Sequence, residues 1–143
     1  MSVIVVGGIV KKDDKYLLIQ EAKEKCRGKW NIPAGRLETN ETITYGAKRE
    51  IREECGYNVA ITGVALIGDR VMGENSISYI IFSTNIIDGD IKFNREEILD
   101  AKWFTYEEII GMEAELRSPD LIITAITTVE KRKTSDANIV KQF

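Results

Sequence analysis

Val3 to Lys11 is rich in β-branched residues and stops at the polar turn Lys12-Asp13-Asp14. A second apolar run, Tyr16 to Gln20, follows, and the two together predict a β-hairpin. Residues 21–29 are charged and contain Gly28, which predicts a loop; Trp30 to Leu37, broken by Pro33 and Gly35, predicts a short extended piece bending into another loop. The period then changes. Ile43, Ala47 and Ile51 recur every fourth residue and mark the apolar face of a helix over 42–55. Gly56 is its natural stop, and Thr39 or Asn40 its expected cap. Val59 to Val71 and Ile77 to Ile87 are long strand-like runs on either side of the turn-rich Met72 to Ser76, and Asp88-Gly89-Asp90 predicts a further turn. Ala101 to Phe104 predicts a short strand and Tyr106 to Met112 a short helix. Ser118-Pro119 predicts a cap and a first-turn proline opening a helix to about Lys131. From Lys133 the chain is polar, which predicts a frayed tail up to Phe143. This order of elements predicts an α+β fold, an αβα sandwich on a mixed β-sheet.

Composition narrows the chemistry. A chain of 143 residues suits one domain, over 1–143, and 43% hydrophobic with 30% charged residues is the balance of a folded globular protein. A formal net charge of -3 gives no electrostatic case for a stable nucleic-acid partner. The first apolar run is too short to span a bilayer, so no membrane role is expected. Cys26 and Cys55 are far apart in sequence, as in a reduced cytoplasmic protein. Histidine is absent, which removes imidazole bases, His-based triads and His-ligated zinc. Catalysis is left to carboxylates, lysine, tyrosine, hydroxyls or a hard metal ion.

The helix over 42–55 carries the chemistry. Glu50, Glu53 and Glu54 stand at i, i+3 and i+4, so they share a face and repel one another by a few tenths of a kcal/mol per pair. They also lie near the helix C-terminus, where the dipole disfavours anions. Lys48, Arg49 and Arg52 could neutralise them as ordinary solvated surface, which is the usual meaning of a charge run. Alternatively, a hard dication could sit among them, since carboxylates without nitrogen or sulfur donors favour magnesium or manganese.

Pro33-Ala34-Gly35 ahead of the helix tilts the choice towards metal. Gly35, five residues, Glu41, seven residues, Arg49-Glu50-Ile51, then Glu53-Glu54 and Gly56 resemble the Nudix box at every fixed position, over residues 35–57. Tyr57 alone departs, standing where an aliphatic residue is usual. Trp30 to Gly35, Glu97-Ile98 with Trp103-Phe104, and Leu116 to Asp120 extend the resemblance to most of the chain. It implies the Nudix αβα sandwich and a Mg2+- or Mn2+-dependent attack of water on phosphorus in a small nucleotide substrate.

The resemblance also implies roles. Glu50, Glu53, Glu54 and the Ala34 carbonyl would hold the metal. Glu53, or after it Glu97, would act as base, with Glu96 a substitute. Gly35, Glu41, Arg49 and Gly56 would be structural, with Glu38 either beside the ligands or merely exposed. Arg27, Arg36 and Trp30 are candidate substrate contacts, whereas Tyr79 and Phe82 read as sheet residues. The chain is expected to act as a monomer or homodimer. ADP-ribose pyrophosphatases carry a proline downstream of the box, and the prolines here are Pro33 and Pro119 alone. Dinucleoside polyphosphate hydrolases carry a tyrosine where this chain has Val71 to Asn75. A MutT-like nucleoside di- or triphosphate hydrolase is therefore favoured, and the Cys26-Arg27-Gly28 run resembles the branch acting on oxidised guanine nucleoside diphosphates. The alternatives are an ADP-ribose or ADP-sugar pyrophosphatase and a catalytically silent nucleotide sensor, the latter disfavoured because every box carboxylate is retained.

Overall fold

A computed structural model describes all residues from Met1 to Phe143. Strand β1 (Ser2–Ile9) is buried on both faces in its second half, from Val6 to Ile9, where it runs without a polar side chain. It lies inside a mixed sheet, antiparallel to β5 (Ala34–Arg36) and parallel to β7 (Asn75–Gly89), with β6 (Tyr57–Met72) beyond β7. The expected hairpin of Val3 to Lys11 with Tyr16 to Gln20 therefore shrinks to its tip. The chain changes sheet at Val10, and only β2 (Lys11–Lys12) folds back on β3 (Lys15–Glu21), through a turn in which Asp13 and Asp14 have φ of 50° and 63°. The parallel partner of β1 lies far along the chain, so local pattern could not reveal it.

β3 organises a second, antiparallel sheet. β2 and β4 (Trp30–Asn31) lie along one side of it and β8 (Ile98–Thr105) along the other. Its side chains alternate between two cores. Tyr16 and Leu18 face the layer of α2 (Tyr106–Gly111) and α3 (Pro119–Glu130), whereas Leu17 and Ile19 pack with Ile51 and Cys55 of α1 (Ile43–Cys55). Sheets between helices on both faces make the expected αβα sandwich.

Element ends differ from expectation in three instructive ways. Thr42 caps α1, accepting a hydrogen bond from the Tyr45 amide, while the expected cap Asn40 sits in a left-handed turn at φ 64°. Ser118 occupies the cap position of α3 but makes no side-chain cap bond. The tail does not fray at Lys133. Ser135 exchanges backbone bonds of 2.8 and 2.9 Å with Val64, and Val140 packs against the cluster of Val6, Ala47, Val64 and Phe82. No helix is long and apolar enough to cross a membrane.

Candidate active site

α1 presents two stripes. Ala47, Ile51 and Cys55 are fully buried against the sheets, and Glu50, Glu53 and Glu54 line a cleft of about 570 Å³ beside them. The loop Pro33 to Arg36 forms the facing wall. Its closeness demands glycine: a Cβ at Gly35 would lie 2.3–2.5 Å from the carboxylate atoms of Glu50, and one at Gly7 2.3 Å from the Pro33 carbonyl. Gly56 ends the helix at φ 89°, where a Cβ would also meet the Asp90 carbonyl at 2.2 Å.

Arg49, 8% exposed, ties this loop to the helix. Its guanidinium donates to both oxygens of Glu41, to Glu50 at 2.9 Å, to Glu53 at 3.1 Å and to the Arg36 carbonyl at 3.2 Å. Glu38 stands 3.6 Å away. The bonds from Arg49 hold the Glu41 carboxyl below the usual carboxylate range, and those from Glu41 hold the guanidinium's own proton more tightly still. Glu50 is pushed the other way by loss of solvent, which Arg49 only partly offsets.

In the other half of the cleft no cation touches the carboxylates directly, although Lys23 and Arg117 stand on its wall. Glu54 accepts the Ala34 amide at 2.7 Å and enters no ion pair; burial first, then the charge of Glu50, pushes its carboxyl well above the usual range. Glu21, at the end of β3, is 4% exposed, and its carboxylate accepts one hydrogen bond, from the Asn31 side-chain amide at 3.3 Å. Glu97 lines the same cleft from the loop before β8 and is exposed.

The donor set suits a hard dication. It is all oxygen, and two of its carboxylates, Glu54 and Glu21, enter no ion pair. In the arrangement described, no three of these groups gather about one point, because Arg49 engages Glu50 and Glu53 while the Ala34 amide engages Glu54.

The structure brings Arg36, Ala34, Glu38 and Glu97 to the cleft together with the helix carboxylates. It does not bring Trp30 or Arg27 there. Trp30 is core, edge-to-face with Phe104 at 5.1 Å, so it is not free to stack on a base. Arg27 lies outside the cleft and donates to the Ala22 carbonyl at 2.9 Å. Glu96 is exposed outside the cleft as well, and Phe82 is core, whereas Tyr79 is a sheet residue that also lines the cleft. Sequence reasoning missed Glu21, Lys23, Asn31 and Arg117, all on the cleft wall. For Glu21 a signal existed: period two from Leu17 and Ile19 puts a carboxylate on a buried face.

A family model for the NUDIX domain matches residues 1–125. A Caenorhabditis elegans protein named for the nudix hydrolases is 41% identical over 111 residues, covering 77% of this chain and 30% of that protein. The human 8-oxo-dGDP phosphatase NUDT18 is 35% identical over 104 residues, covering 71% of this chain and 31% of its own length. The chain thus spans about a third of the length of these curated relatives. Among solved structures, a NUDIX hydrolase from Nitrosomonas europaea superposes with a TM-score of 0.89 at 27% identity, over 100% of this chain and 98% of that one. With the box complete, its carboxylates lining one cleft and the sandwich matched along its whole length, the chain belongs to the Nudix hydrolase family.

Proposed function

We propose that this protein hydrolyses a phosphoanhydride bond of a nucleoside diphosphate or triphosphate by water attack on phosphorus, with Mg2+ or Mn2+ as cofactor. The observation that carries the reading is the cleft itself, walled by Glu50, Glu53 and Glu54 on one side and by the glycine-constrained Pro33 to Arg36 loop on the other. A dication bound there would offset phosphate charge and make water a better nucleophile at neutral pH. Glu50, Glu53, Glu54 and Ala34 are the residues proposed to hold it.

The chain's own groups divide the remaining work. Arg49 orients Glu50 and Glu53 and fastens the loop to the helix. Lys23, Lys25, Arg36 and Arg117 on the cleft wall supply positive charge for a polyphosphate. Glu53 shares its charge with Arg49 at 3.1 Å, whereas Glu97 enters no ion pair. Glu97, which lines the same cleft, is therefore the better proton acceptor.

A relative named as an 8-oxo-dGDP phosphatase, at 35% identity, supports an oxidised guanine nucleoside diphosphate as substrate. The test is a panel of oxidised and ordinary guanine nucleoside di- and triphosphates with ADP-ribose, each incubated with Mg2+ while phosphate and monophosphate are measured. Release of phosphate and nucleoside monophosphate from the oxidised diphosphate, ahead of the other substrates, is expected. Cleavage of ADP-ribose alone would overturn the substrate class, and no cleavage with Mg2+ or Mn2+ would overturn the activity.

A further inference from the structure

The carboxylates of the cleft fall into two groups. Glu38, Glu41, Glu50 and Glu53 each lie within ion-pair distance of Arg49. Glu54 and Glu21 enter no ion pair, although Glu54 is half-buried and Glu21 is only 4% exposed; the charge of Lys23 reaches Glu54 from beyond ion-pair distance. Both line the same cleft, and the charge of Glu21 bears on Glu54. Buried carboxylates that repel one another and lack a counter-ion are costly unless something positive joins them.

Glu21 does not arrive there by accident of a loop. It continues the row Leu17, Ile19, which packs beneath Ile51 and Cys55 of α1, so alternation delivers it under the same helix face. The β3–β8 ladder also slips between Gln20 and Glu21, pairing Glu21 with Ile98 where regular register would require Leu99. The extra residue, Leu99, lies on β8, so β3 keeps its alternation through Glu21 while β8 bends beside the cleft. The carboxylate then takes a single hydrogen bond, to Oε1 from Asn31, and Oε2 receives none from the protein.

We infer that Glu21 of β3 is a further metal-binding residue, which together with Glu54 of α1 forms the half of the cleft left unpaired by Arg49, where a divalent cation binds. The inference rests on the proposed metal-dependent hydrolysis and adds a ligand from outside the box. It makes the cation a link between the second sheet and α1. Without it, Glu21 and Glu54 oppose each other.

The test is calorimetric titration of Mn2+ into the nucleotide-free protein, comparing wild type with E21Q, E21D and E54Q. E21Q keeps the shape without the charge, and E21D keeps the charge on a shorter stem, so the pair remains informative even if one variant folds poorly. Each Glu21 variant is expected to bind Mn2+ at least tenfold more weakly. Removing the uncompensated charge should also raise the melting temperature of E21Q in EDTA, a gain that saturating Mn2+ reverses; a merely structural Glu21 would give loss under both conditions. Wild-type Mn2+ affinity in both Glu21 variants, with E54Q impaired, would overturn this inference and leave the proposed hydrolysis standing. Failure of the wild-type protein to bind Mn2+ would overturn both.

Discussion

Arg49 is the side chain on which the acidic wall depends, and its bond to Glu41 is the one most sheltered from solvent, with the two side chains 8% and 5% exposed. Two parallel charge-assisted bonds there predict that Glu41→Gln destabilises the protein by roughly 1.5–3 kcal/mol at neutral pH. The pH dependence has a definite sign. Because Arg49 holds the Glu41 carboxyl below its ordinary 4.5, its contribution is present above that value and fades as pH falls through the lowered folded-state pKa. Melting curves of wild type and variant should differ by a constant margin above pH 4.5 and converge below it. A margin that persists in acid would mean that packing, and not the ion pair, is lost. Glu97 allows a kinetic prediction at the same scale. If it takes the proton, Glu97→Gln lowers kcat by about 10²–10⁴-fold with little change in KM. Steady-state kinetics within about twofold of wild type, inside ordinary surface-mutation scatter, would return that role to Glu53.

At the scale of elements, α1 has the most to hold in place. Its cap is one hydroxyl accepting one amide, Thr42 from Tyr45 at 3.2 Å. Thr42→Ala should cost about 1 kcal/mol in denaturant unfolding while sparing kcat, because the cap lies at the opposite end of the helix from Glu53 and Glu54. Its sequence signal is ambiguous, since Thr39, Asn40 and Thr42 are all acceptable caps. Asn40 loses because the chain turns through the left-handed region there. The helix itself is legible, since Ile43, Ala47 and Ile51 fix both its period and its inward face. The spacing of Glu50, Glu53 and Glu54 likewise puts three carboxylates on one side of it by helical geometry alone. What the sequence hides is long-range. Nothing near β1 announces that its partner is β7 or that the chain leaves the sheet at Val10. Trp30 misleads because a tryptophan beside a loop looks the same in sequence whether it packs on Phe104 or on a substrate. Glu21 escapes notice because a charged residue at a strand end reads as a loop residue until the opposing helix is known to cover it.

On the scale of the whole molecule, the cleft lies where the two sheets and α1 meet. β1 and β5 belong to one sheet, β3 and β8 to the other, and the helix lies across both. A cation held between α1 and either wall therefore joins parts that must separate on unfolding, and it can bind well only to the folded chain. A ligand with that preference stabilises by about 2.7 kcal/mol at a hundred times its dissociation constant. For a chain near 150 residues each kcal/mol moves the midpoint by about 2–4 °C. Mg2+ at that excess should thus raise Tm by roughly 5–11 °C, and EDTA should restore the lower value. The shift belongs to the site and not to general screening if an equal ionic strength of KCl fails to reproduce it, since screening acts on exposed charges across the whole surface. Glu54→Gln supplies the opposing control. Burial and its acidic neighbours make the charged form of Glu54 unfavourable in the metal-free protein, so the raised pKa withdraws stability as pH rises through it. The variant should melt higher than wild type in EDTA at neutral pH, lose that advantage on acidification below 4.5, and gain little from Mg2+. A wild-type midpoint indifferent to Mg2+ would mean that the carboxylates of the cleft are balanced by the protein alone.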